Sequence, residues 1–100
     1  MNLGKAIRLC RIQRNMRQTQ LAEKANISVS YLSMLERGKR DPNFSTVETI
    51  ATALKVPVAV LTFLAAEPHE LEGISPELAE KISYTALRLI GASANGNTTV

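Results

Sequence analysis

The sequence predicts an all-α chain in which five short helices pack as one domain and an additional C-terminal helix follows. Three observations predict it. Apolar residues recur at intervals of three and four along most of the chain, the period of one helix face. Residues that start or stop helices, among them Asn15, Asn26, Ser28, Gly38, Asn43, Pro57 and Gly91, fall between those stretches. One hundred residues, 45% apolar and 21% charged, are enough for one hydrophobic core and too few for a second full domain.

The first helix is expected over Leu3 to Arg14, with Leu3, Ile7 and Cys10 on one face and Lys5, Arg8 and Arg11 elsewhere on the cylinder. Asn15 follows at the position of a left-handed C-terminal cap, which asparagine tolerates. The second helix runs from Gln18 to Ala25 on the narrow face Leu21, Ala22, Ala25, and Asn26 makes the turn. Ile27 is an apolar plug in that turn, Ser28 an N-cap, and Leu32 and Leu35 the inward pair of a third helix over Val29 to Arg37 that Gly38 closes.

Asp41-Pro42-Asn43 is turn chemistry, after which Phe44, Val47, Ile50, Ala51 and Leu54 mark a fourth helix. Pro57 in a first turn opens the fifth, to about Ala65, where Val58, Val60, Leu61, Phe63 and Leu64 leave almost no polar face. Such a helix must be covered on more than one side. Residues 1–66 thus form the first domain, and 67–75, with Pro68, Gly73 and three glutamates, an acidic hinge loop. The C-terminal helix is expected over 76–91, with Leu78, Ile82, Ala86, Leu89 and Ile90 as a single stripe and Gly91 as its stop. The tail 92–100 is expected to be disordered.

Charge divides the chain. Residues 1–55 carry ten Lys and Arg against four acids, a balance of +6, whereas residues 56–100 carry two against five, a balance of −3. The first half suits a polyanion such as nucleic acid; a solvated basic helical surface would read the same way. Other functions find little support. Cys10 is the single cysteine and His69 the single histidine, so no disulfide, zinc cluster or catalytic acid–base constellation is expected, and neither a cofactor nor a metal. The longest apolar run, Val56 to Ala66, is broken by Thr62 and too short to span a bilayer, and no signal peptide is visible, so a cytoplasmic protein without membrane contact is expected.

The segment Gln18 to Arg37, QTQLAEKANISVSYLSMLER, meets the demands of a tight helix-turn-helix in order: Leu21, then small Ala22 where the second helix crosses, Ala25, φ-permissive Asn26, apolar Ile27, and Leu32 with Leu35 inside the second helix. With those two leucines inward, Ser28, Val29, Ser30, Ser33, Met34 and Arg37 point outward. Serine hydroxyls can bond base edges or phosphates, and Val29 or Met34 can meet a thymine methyl.

These residues, with I-R-L-C-R at Ile7 to Arg11, Y-L-S-M-L-E-R-G-K-R at Tyr31 to Arg40, and Pro42, resemble the helix-turn-helix of the Cro and lambda-repressor family, the XRE-type regulators, over roughly Leu3 to Leu64. Asn15 and Asn26 depart from the glycines common there. The resemblance implies a lambda-repressor-like DNA-binding domain from a bacterium or phage. It would act as a sequence-specific transcriptional regulator, a repressor in the first instance, binding a two-fold operator as a homodimer with the third helix in the major groove.

The resemblance further implies base reading by Ser28, Val29, Ser30, Ser33 and Met34, and phosphate binding by Arg17, Gln18, Tyr31, Arg37, Lys39, Arg40 and Asn43. For Arg17, Lys39 and Arg40 a solvated charge is an equal alternative. It also implies an ion pair between Arg11 and Glu36. Val60, Phe63, Leu64, Leu78, Ile82, Leu89 and Ile90 are the expected dimer or partner interface, with packing inside one chain as the alternative. The competing function is an antitoxin-like protein that neutralises a partner through its C-terminal helix and autoregulates its operon.

Overall fold

The computed structural model describes residues 1–95, with side-chain surroundings for residues 1–70 and 72–88. Among the described residues every regular element is helical: α1 (Leu3–Gln13), α2 (Gln18–Ala25), α3 (Val29–Glu36), α4 (Phe44–Leu54), α5 (Val58–Ala65), a 3-10 turn (Pro68–Leu71) and α6 (Pro76–Asn95).

Local chemistry sets these boundaries. Asn2, Ser28 and Asn43 cap α1, α3 and α4 by accepting from the backbone N–H groups of Lys5, Tyr31 and Thr46 at 3.0, 3.0 and 2.8 Å. Asn15 and Asn26 both take left-handed backbone at φ 56, and Gly38 does so at φ 74. Lys55 adopts φ 58 after α4, which nothing in its side chain favours. Arg14 supports that turn from α1 by donating Nη2 to the Lys55 carbonyl at 2.7 Å.

The core is continuous. Ile7 and Cys10 of α1, Leu21 of α2, Leu32 and Leu35 of α3, Ile50 and Leu54 of α4 and Leu61 of α5 are fully buried, each removing from water an area worth about 1.5–3 kcal/mol for a large side chain. Helix α1 lies against α3, α5 and α6, while α2 packs on α3 and α4. Gly4 is required where α1 meets α3, because a Cβ there would stand 2.1 Å from the Leu35 carbonyl oxygen. No single helix among the described residues is long and apolar enough to cross a membrane, and the apolar pair α4 and α5 is bent by 108°.

The structure corrects the C-terminal expectations. Helix α6 continues through Gly91 to Asn95, since a glycine inside a helix costs about 1 kcal/mol relative to alanine but keeps its backbone hydrogen bonds. Residues 92–95, expected in a disordered tail, are therefore helical, and 96–100 lie outside the described residues. The 67–75 segment holds a 3-10 turn in which Glu67 N–H donates to Glu70 Oε1 at 2.7 Å. The expected apolar stripe of α6 is split: Ala86 is buried and Leu87 packs on the core, whereas Leu78 and Ile82 remain 49% and 37% exposed.

Candidate nucleic-acid interface

The geometry of the α2-turn-α3 unit follows from its buried residues. Leu21, Ala22 and Ala25 face the core from α2, and Ile27, half-buried, donates its backbone N–H to the Ala22 carbonyl at 3.0 Å across the left-handed Asn26. This bond closes the end of α2 and turns the chain at once. Leu32 and Leu35 then pin α3 at 0% and 1% exposure, so the opposite side of α3 is left to solvent.

On that side the structure places Ser28, Val29 and Ser30 as exposed residues at the N-terminal end, Ser33 and Met34 half-buried one turn on, and Arg37 exposed just beyond the helix. Five of the sequence-derived candidates thus lie, exposed or half-buried, at the N-cap and in the first two turns of α3. Ser28 already uses an oxygen lone pair as the N-cap, which leaves its O–H free to donate outward. Arg37 folds back along the helix, with Nε 3.4 Å from the Ser33 carbonyl.

A rim of exposed basic residues flanks the helix-turn-helix along the chain, before α2 and after α3. Arg17, Lys39 and Arg40 are exposed, and the Arg40 guanidinium sits 5.5 Å above the ring of half-buried Tyr31. Asn43 caps α4 with its carbonyl oxygen and so presents its amide N–H groups outward. The acid on α3 is removed from this surface: the Glu36 side chain is 2% exposed.

Glu36 is satisfied by three donors. Arg11 forms a bidentate pair with it, Nε to Oε2 at 2.7 Å and Nη2 to Oε1 at 2.9 Å, and Gln18 Nε2 donates to Oε1 at 3.0 Å. Arg11 also donates Nη1 to the Met16 carbonyl at 2.9 Å, so one guanidinium ties α1, the loop before α2, and the end of α3. The candidate phosphate ligand Gln18 therefore has its amide oriented by a carboxylate, a contact the sequence does not announce because the residues are eighteen apart.

The remaining candidates do not gather here. Val60, Phe63 and Leu64 of α5 are half-buried, Leu78 and Ile82 are exposed on α6, and Leu89 and Ile90 lie outside the described side chains. Gly4 was missed by sequence reasoning, and its signal was a glycine in a first helical turn where no turn is needed. Among the described residues no group of three or more His, Cys, Asp or Glu could hold a metal ion. Cys10 is buried, and burial pushes its thiol up to about 11.

The amino-acid sequence matches a helix-turn-helix family model over residues 7–61, a span that contains the buried apolar series from Leu21 to Leu35 and the turn at Asn26. This chain belongs to the XRE-type helix-turn-helix family. It is similar to an immunity repressor protein of Bacillus phage phi105, 44% identical over 61 residues, covering 61% of this chain and 42% of that protein. An uncharacterised helix-turn-helix-type transcriptional regulator of Mycobacterium tuberculosis is 39% identical over 84 residues, 82% of this chain and 60% of that protein. The transcriptional repressor RghR of Bacillus subtilis is 34% identical over 73 residues, 69% of this chain and 54% of that protein. The chain spans about half the length of these relatives.

Proposed function

We propose that this helix-turn-helix protein binds double-stranded DNA sequence-specifically and regulates transcription as a repressor, as a homodimer on a two-fold operator with α3 in the major groove. The observation that carries this reading is the division of α3: Leu32 and Leu35 are wholly buried, Val29 and Ser30 are exposed and Ser33 and Met34 half-buried, and the exposed Arg17, Arg37, Lys39 and Arg40 flank the unit along the chain. Short side chains let a helix approach base edges closely, and they present both hydroxyls and methyl-sized apolar groups to them. The rim supplies positive charge for phosphates, and the buried Glu36 adds no repulsion because Arg11 neutralises it.

Two-fold binding is proposed because one recognition helix covers only a few base pairs. The names of the phage and Bacillus relatives support the repressor assignment. Selection of bound duplexes from a random pool tests all parts together: the reading requires an enriched inverted repeat whose affinity falls steeply with salt. Binding that shows no sequence preference at low salt would refute it.

A second reading is favoured by one observation, the exposure of Leu78 and Ile82 on α6, which suits an antitoxin-like chain holding a protein partner there. A small toxin gene beside this one supports that reading, and a phage or mobile-element neighbourhood opposes it.

A further inference from the structure

Gln18, a candidate ligand for a polyanion, is bonded in the free protein to a negative charge. Its Nε2 donates to Glu36 Oε1 at 3.0 Å, and the Glu36 side chain is 2% exposed. Arg11 holds the same carboxylate through Nε to Oε2 at 2.7 Å and Nη2 to Oε1 at 2.9 Å, so the carboxylate cannot rotate without breaking charge-assisted bonds. Arg11 is fixed in turn, because its Nη1 donates to the Met16 carbonyl in the loop that leads into α2. The acceptor offered to Gln18 is therefore set by α1, by that loop and by α3 before any DNA arrives.

A primary amide carries two N–H donors on one nitrogen, and its atoms share a plane. With one N–H engaged by Glu36, the direction of the other, on half-buried Gln18, is set by the carboxylate rather than by solvent. A free glutamine samples many rotamers and loses that freedom when it grips a phosphate, which weakens binding roughly two- to tenfold per side chain. Gln18 has already lost it in the free protein.

We infer that Glu36 is a positioning residue for DNA binding that acts through Gln18: the buried carboxylate holds one amide N–H so that the other is presented to a backbone phosphate at the start of α2. This role rests on the DNA-binding reading above and gives an acid a favourable part in it. Its effect on affinity has the opposite sign to that of charge alone. Replacing Glu36 by a neutral residue leaves Arg11 uncompensated and raises the protein's charge by one, which by Coulomb attraction tightens binding to a polyanion. Loss of positioning loosens it. Because phosphates carry no direct sequence information, all duplexes are affected alike.

A double-mutant cycle on the full chain tests this, with affinity for the duplex enriched from a random pool read by fluorescence anisotropy at a temperature where circular dichroism shows each variant folded. Glu36→Gln is expected to weaken binding about fivefold in the unmodified chain, and to leave it unchanged or tighter when Gln18 is already alanine. A purely structural Glu36 would weaken binding equally in both backgrounds, and a purely electrostatic one would tighten it in both. Either result overturns the inference, as does a Gln18→Ala chain that binds as the unmodified chain does. If Glu36→Gln does not fold, NMR of the unmodified chain decides. One Gln18 side-chain amide proton should be protected from solvent exchange in the free protein, and both in the complex; rapid exchange of both in the complex overturns the inference. Failure of the DNA-binding reading looks different, because the unmodified chain would then show no preference among duplexes, and both readings would fall.

Discussion

Gln18, the first residue of α2, donates its side-chain amide to Glu36, the last residue of α3, at 3.0 Å. The carboxylate that receives it is held by Arg11 from α1, so the two helices of the helix-turn-helix are locked at their outer ends as well as at their leucine core. Because Glu36 is buried, the lock is sensitive to loss of either charge. Glu36→Ala should lower unfolding free energy by about 3–5 kcal/mol in urea titration, since it strands a guanidinium that is only 12% exposed. The order of preference among operator sequences should be unchanged, because no base-facing side chain is touched.

Gly4 makes a second prediction about the same helix end. In Gly4→Ala the new methyl group would meet the backbone oxygen of Leu35, with the Glu36 oxygen 3.2 Å away, and backbone cannot swing aside as a long side chain can. We expect a loss of about 1–3 kcal/mol by thermal denaturation, the usual cost of overpacking. An unchanged melting temperature would mean that α1 and α3 are not held at this separation.

The outward residues of α3 and those of the rim should separate in a binding assay. Ser33→Ala or Met34→Ala is expected to change which base is preferred at one operator position, by about 1–3 kcal/mol of discrimination. Lys39→Ala should instead weaken all duplexes alike and reduce the slope of log affinity against log salt by about 1. If Ser33→Ala behaved as Lys39→Ala does, base reading by that face would be wrong.

Cys10 links burial to pH. Its thiol is raised in the folded protein from 9.0 to about 11 by burial, so the unfolded chain ionises first as pH rises. The neutral thiol's contribution is complete below pH 9 and declines between pH 9 and about 11, by about 2–3 kcal/mol in all. Guanidinium titrations across that range should show the decline attributable to this residue, and Cys10→Ala should remove it. For the same reason the folded protein should resist alkylation at neutral pH; rapid native-state labelling would place the thiol at the surface.

The first four helices were legible because their signals are local. Leu32 and Leu35 face inward at helical spacing, Ser28 and Asn43 cap the helices that follow them, and Asn26 accepts a left-handed turn; each depends on neighbours within one or two helical turns. Where a residue's state depends on distant chain, reading failed or stayed silent. Lys55 takes a left-handed conformation with Arg14, forty-one residues away, bonded to its carbonyl. Gly91 carries the sign of a stop, yet α6 passes through it.

By itself, then, the sequence determined the helical period, the caps and the ordered apolar series of the helix-turn-helix, because those are properties of short segments in water. Tertiary structure alone decided that Gln18 would turn to Glu36, that Gly4 would admit the end of α3, and that α6 would bury Ala86 while leaving Leu78 and Ile82 bare. The physical reason is that an amphipathic pattern states which residues avoid water, whereas only packing states which neighbour excludes it.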